Sequence, residues 1–240
     1  MSELRKIEHL DPEDCQIWLE SPRELRCVLK EELDFLTRSL YTRGQEHPVI
    51  ARLNPDTTDD TPKYEVVLGT KRFLAASWLR KGNPAFRLKA IVTEISDRDA
   101  FVLSHRKGPN QLDLCAFERA GSIGYFSSMG YFDSAEDLAE QIGETRAFVE
   151  CHLAIFHLPF ECLQLFDLWP LVSEREAWQL VDAMSEDIDH FYTMVDHLKK
   201  QQSEGCYCFS KQELMLALTS SRASLSPNLP SDYDNLAFLG

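Results

Sequence analysis

The segment Lys63 to Leu79, KYEVVLGTKRFLAASWL, constrains this chain more than any other stretch. Tyr64, Val66, Val67 and Leu68 are aromatic, β-branched or aliphatic, the mark of a buried strand, and Gly69 punctuates it. A helix follows at once, with Thr70 placed to cap its orphan amides and Phe73, Leu74, Ala76 and Trp78 as its buried side. Lys71 and Arg72 stand in the first turn, where the positive end of the helix dipole disfavours cations. An anion over those amides removes the conflict, since helix N-termini bind phosphate readily. An ordinary strand–turn–helix with solvated Lys71 and Arg72 satisfies the same residues. Local physics leaves both readings open.

Charge partition favours the anion. The net charge is −14, yet residues 63–107 carry ten basic and four acidic side chains, a net +6. Residues 1–62 stand at −6 and residues 108–240 at −14. Only the middle block is suited to attracting an anion. With 44% hydrophobic and 27% charged residues, 240 residues can bury one large or two small cores. No apolar run approaches the ~20 residues of a membrane span, and the polar, acidic start is no secretory signal. Seven cysteines, none in a CxxC pair, fit reduced thiols in a cytoplasmic protein better than a disulfide framework. Cys151, His152, His157 and Cys162 could be drawn as a zinc set, but they lie in an apolar helical region where packing is the simpler account.

The spacing predicts an amphipathic helix over Arg23–Leu40, with Leu25, Val28, Leu29, Leu33, Leu36 and Leu40 on one side. Pro48–Leu53 reads as a strand, Asn54–Pro62 as a hairpin-like loop, Tyr64–Leu68 as the next strand, Thr70 to about Lys81 as a helix and Phe86–Val92 as a third strand. From Asp97 onward only helical patterns occur, and Ser220–Gly240 reads as a flexible tail with a docking motif in Tyr233, Leu236, Phe238 and Leu239. The fold class is therefore α+β, a small mixed-sheet domain followed by an all-α domain. The expected divisions are an N-terminal segment (1–22), a nucleotide-binding domain (23–96), a helical linker with helix-turn-helix (97–200), and a terminal helix and tail (201–240).

Ser134–Leu153 fits the helix-turn-helix pattern: small Ala139, the turn at Gly143, Val149 packing the second helix, and Leu138, Ile142 and Leu153 as shared core. Thr145 would cap the second helix, and Thr145, Arg146, Ala147 and Glu150 form its reading face. Its charge has the wrong sign for a duplex. Over residues 131–170, Arg146 is the sole basic residue against eight acidic ones, and phosphate neutralisation is the main source of DNA affinity. A scaffold or protein-contact role remains open beside DNA reading. Asp97 and Asp99 are the nearest carboxylates to the cradle and read as a solvated turn; no metal cluster is expected.

Taken in order, these pieces resemble the ParB family of chromosome and plasmid partition proteins, with its ParB/sulfiredoxin-like N-terminal domain and helix-turn-helix, over roughly residues 23 to 185. Gly44-Gln45 and Pro48-Val49-Ile50-Ala51-Arg52 are similar to that family's "GQ…PIxVR" box. Tyr64 to Arg72, YEVVLGTKR, is similar to "YxIIxGERR". Leu165 to Val181 resembles the helical continuation of plasmid-type members. The resemblance implies a CTP site with Mg2+, in which Gly69, Thr70, Lys71 and Arg72 cradle phosphates and Gln45 and Arg52 line the same pocket. It implies a helix-turn-helix that binds duplex DNA at an inverted-repeat site, a homodimer, and nucleoid or plasmid association in a bacterial cytoplasm.

Three departures qualify it. Lys107-Gly108-Pro109-Asn110-Gln111 stands where the family has "ENxQR", without the acidic residue or the final Arg. Thr70 replaces the Glu of GERR, and no lysine-rich end domain is visible. The implied function is a DNA-binding protein of a plasmid or mobile element, acting in DNA partition or transcriptional regulation, with a degenerate nucleotide switch that is a weak CTP hydrolase at most. The alternative is an adaptor or antagonist binding a ParB- or ParA-type protein.

Overall fold

A computed structural model of the protein describes residues 6–58, 60–106, 114–205 and 209–220. Five strands, β1 (Ile7–Leu10), β2 (Cys15–Ile17), β3 (Val49–Leu53), β4 (Tyr64–Leu68) and β5 (Leu88–Val92), form one mixed sheet in the order β1-β5-β3-β4-β2. β3 and β4 are an antiparallel hairpin closed by the Asn54 amide on the Lys63 carbonyl at 2.9 Å. β5 joins β3 in parallel with Val49 opposite Ala90, and β1 closes that edge antiparallel with Leu10 opposite Leu88. β2 adds to β4 in parallel. Residues 7–17, expected to lie outside the α/β domain, thus supply both edge strands. Strands of four and three residues are too short for a period-2 pattern to be read from sequence.

Helix α1 (Lys30–Arg43) starts seven residues after the expected Arg23, because Leu25–Cys27 forms a separate 3-10 turn. Helix α2 (Thr70–Gly82) follows β4 directly. Its Phe73 and Ala76 pack on Val49, Ala51, Val66, Leu88, Ala90 and Leu10, the core on one face of the sheet. Helix α3 (Asp97–His105) is capped by the Ser96 hydroxyl and carries Phe101, which stacks on Phe126 at 4.4 Å. Trp18, Phe126 and Tyr131 extend this aromatic cluster.

The chain then continues through α4 (Ala116–Ser128), α5 (Ala135–Ile142), α6 (Arg146–Phe156), α7 (Phe160–Gln164), α8 (Glu174–Glu186), α9 (Ile188–Ser203) and α10 (Lys211–Thr219). Ser134 caps α5, left-handed Gly143 ends it, and the Thr145 hydroxyl accepts from the Phe148 amide at 3.1 Å to start α6. Two compact units emerge, Met1–Leu114 with Gly121–Glu150, and Cys115–Ala120 with Cys151–Gly240. Those bounds differ from the expected breaks at 22, 96 and 200. In the second unit Phe117 meets Trp169 edge-on at 5.6 Å. Helices α8, α9 and α10 pack together, burying Leu180, Phe191, Val195, Leu198, Leu214 and Leu218. Ser173 and Ser210 each close a capping box, with Glu176 and Glu213. The fold is α+β, as the pattern of elements predicts. The terminal docking motif and the Lys107–Gln111 box lie outside the described residues.

Candidate anion-binding site

The turn from β4 into α2 requires glycine on two counts. Gly69 sits in the left-handed region at φ +99, and a Cβ there would stand 2.8 Å from Val49 Cγ1 and 3.3 Å from Arg72 Nη1. Gly69 is also the residue preceding the helix, and no side chain caps the first turn. Thr70 is therefore not the cap expected from its position but the first helical residue. It is 2% exposed, and its Oγ1 is buried with no hydrogen-bond partner among the described residues. The first intrahelical bond runs from the Phe73 amide to the Gly69 carbonyl at 2.9 Å. The amides of residues 70–72 precede it, the donors that a helix leaves for an outside acceptor.

Arg72 packs beside this turn. Its guanidinium is half-buried and donates to the Pro48 carbonyl at 3.3 Å, and no carboxylate pairs with it among the described residues. Burial alone pushes its pKa below the ordinary guanidinium value. A cation so placed pays desolvation without a counterion. Lys71 is engaged instead by Glu32, Nζ to Oε2 at 2.7 Å.

The remaining sequence candidates are engaged by other partners. The Gln45 side chain is spent on backbone, donating to the carbonyls of Lys89 at 2.7 Å and His47 at 2.9 Å and accepting from the Lys89 amide at 2.7 Å. It pins the start of β5. Arg52 follows Ala51, which faces α2, so strand alternation turns Arg52 to the opposite face. There it is 7% exposed, donating to Glu65 Oε2 at 2.8 Å, Asp97 Oδ1 at 2.6 Å and the Ile95 carbonyl at 3.1 Å. Burial opposes its charge, but the bonds to Glu65 and Asp97 outweigh that and raise its pKa. Trp18 Nε1 donates to the same Asp97 oxygen at 3.0 Å. Asp97 and Asp99 are thus no solvated turn: they occupy the first turn of α3, the former held by Arg52 and Trp18, the latter by Ser96. Sequence reasoning gave no role to Glu32, nor to Pro48 and Glu65, which fall inside the two quoted boxes. An acid in the first turn of α1 was a signal for Glu32; the place of Pro48 and Glu65 in those boxes did not show which cation each would meet.

A phosphate suits residues 69–72. They offer an unpaired guanidinium, an uncapped helix end, an orphan hydroxyl and a glycine that lets a ligand approach the backbone. A divalent cation finds less there, because Glu32 is held by Lys71 and Asp97 by Arg52.

On the other candidate surface, Thr145, Arg146, Ala147 and Glu150 are all exposed. Arg146, the one base of that stretch, is clamped by Glu150 at 2.7 Å and approached by Glu136 at 3.6 Å. Cys151, His152, His157 and Cys162 do not gather into a metal-binding group among the described residues. Cys162 is buried, and burial pushes its thiol up to about 12.

No family model matches the chain. It is 24% identical over 149 residues, 62% of this chain and 42% of the relative, to a putative replication protein B of Sinorhizobium fredii. It is 28% identical over 137 residues, 57% of this chain and 42% of the relative, to the chromosome-partitioning protein ParB of Caulobacter vibrioides. Among solved structures it is similar to a Pnob8-like ParB-N domain with a TM-score of 0.53 and 16% identity, over 92% of this chain and 96% of that one. That likeness is one of fold. The chain spans less than half the length of these two curated relatives.

Proposed function

We propose that this chain, a diverged ParB-family protein, is a DNA-binding protein of a bacterial plasmid or mobile element that acts in partition or transcriptional control. Its α/β unit binds a nucleotide through the phosphates, CTP being the nucleotide that the family resemblance implies. The observation that carries this reading is Arg72, half-buried against left-handed Gly69 with no carboxylate partner among the described residues. When bound, the nucleotide supplies the negative charge that Arg72 lacks. Gly69 admits it to the backbone, the first-turn amides of α2 and the Thr70 hydroxyl donate to it, and Arg72 neutralises it. Among the described residues Asp97 is committed to Arg52, and Glu32 is engaged by Lys71 while the site is empty. With no acidic residue in Lys107–Gln111, the segment that stands where the family has ENxQR, hydrolysis is slow or absent.

The test is titration with CTP and Mg2+ of the wild-type protein and Arg72→Ala, with and without duplex DNA carrying an inverted repeat. Saturable wild-type binding weakened about tenfold or more in the variant, the worth of a charge-assisted hydrogen bond, supports it. Equal behaviour of the two proteins, or no binding by either, refutes the phosphate site. Failure to retain any duplex at ~50 mM salt, where electrostatic attraction is favoured, refutes the DNA role.

A second reading has one observation of its own. Arg146 is held by Glu150 and Glu136, so the α5–α6 surface presents acid where a duplex presents phosphate. That favours an adaptor or antagonist that binds a ParB- or ParA-type protein. Co-purification with such a partner in the absence of DNA retention distinguishes it.

A further inference from the structure

Glu32 stands in the first turn of α1, and the residue capping that helix, Leu29, makes no side-chain capping bond. Lys71 stands in the first turn of α2, which is likewise uncapped. The 2.7 Å bridge between them draws two positively polarised helix ends together around one carboxylate. Glu32 is thus the anion this corner already contains. Among the described residues, Arg72 beside it has no carboxylate and Thr70 Oγ1 no partner, so the internal anion satisfies only part of the site.

We infer that Glu32 is an internal competitor for the phosphate site, holding Lys71 until a nucleotide phosphate displaces it, and so setting the affinity of the site and tying α1 to its occupancy. The inference rests on the phosphate reading of residues 69–72. The bridge is suited to exchange: its side chains are 29% and 46% exposed, and pairs so exposed are weak. A polyphosphate, carrying more than one charge, out-competes a single carboxylate for the same ammonium group. Lys71 then reaches the ligand by a change of side-chain rotamer, while Gly69 and Arg72 stay in place. Loss of the bridge releases the first turn of α1 from α2.

The experiment is CTP calorimetry at ~50 mM salt on the wild type, Glu32→Gln, Lys71→Gln and the double variant, with Arg72→Ala as the site control. Thermal melting shows that each variant is folded. Glu32→Gln is expected to bind CTP about two- to fivefold more tightly, the equivalent of one exposed ion pair. The gain is expected to vanish in the Lys71→Gln background. Binding by Glu32→Gln alone, with none by the wild type, also supports the competitor role. Wild-type binding that depends on Arg72 but is unchanged or weakened by Glu32→Gln overturns this inference and leaves the phosphate reading intact. Binding by none of the folded proteins overturns both.

Discussion

Gly69 and Arg52 sit one strand apart and fail in different ways when changed. At Gly69 any side chain meets both a left-handed backbone and the Val49 methyl 2.8 Å away. Gly69→Ala is expected to lose about 2 kcal/mol or more in chemical denaturation, from backbone strain plus overlap, and to close the approach of an anion to the helix end. Arg52→Met leaves Glu65 buried without its cation, a loss of about 3 kcal/mol by the same measurement. The folded fraction of that variant should bind CTP as the wild type does, because Arg52 lies on the sheet face away from α2. A tenfold loss of affinity there would place it in the site after all. The sequence shows an arginine at the end of a strand, in a box that resembles a nucleotide motif. Which face it takes is decided by Ala51 packing toward α2, a relation between elements that a one-dimensional pattern does not contain. Gly69 was legible because the strand stops and the helix starts with no residue between them to make the turn.

Among the elements, β3, β4 and α2 could be read to within about one residue at either end because each is a clean apolar run or an amphipathic stretch between breakers. The edge strands β1 and β2 could not, since their short segments acquire strand geometry only by pairing with β5 and β4. One contact between elements gives a pH test. Lys211 at the start of α10 donates to Glu176 Oε1 at 2.6 Å and to the Leu171 carbonyl at 2.9 Å. The Lys211 bond, against the cost of burial and with help from Ser173, holds the Glu176 carboxyl down at about 2. The unfolded chain takes up that proton near 4.5. The stabilisation is therefore complete above pH 4.5 and fades as pH falls toward 2. Lys211→Met should lower stability by about 1 kcal/mol at neutral pH, the worth of a partly buried pair. The gap between wild type and variant, followed by thermal melting, should close across that acid range. A gap that persists at pH 2 would assign the loss to packing instead.

The molecule as a whole is acidic, and of the three blocks only residues 63–107 carry a net positive charge. If duplex DNA is held by the α5–α6 surface, Arg146 is nearly the only cation available to release counterions. The plot of log affinity against log salt should then have a slope of magnitude under about 2. A slope several times steeper would move the contact to the positive block and away from the helices that sequence nominates. The helical half was legible as helices but not as a unit, because its first piece comes from residues 115–120, inside the territory of the other. Helix α4 starts in one unit and ends in the other, placing Phe117 in the second core and Phe126 in the first. Helix α6 makes the return passage. For a ribosome this is a chain with an outstanding order. The sheet unit can be completed once residue 150 has emerged, whereas residues 115–120 are made early and wait for the rest of their core. For a geneticist it means that the units are spliced rather than strung, and no single cut yields both halves intact.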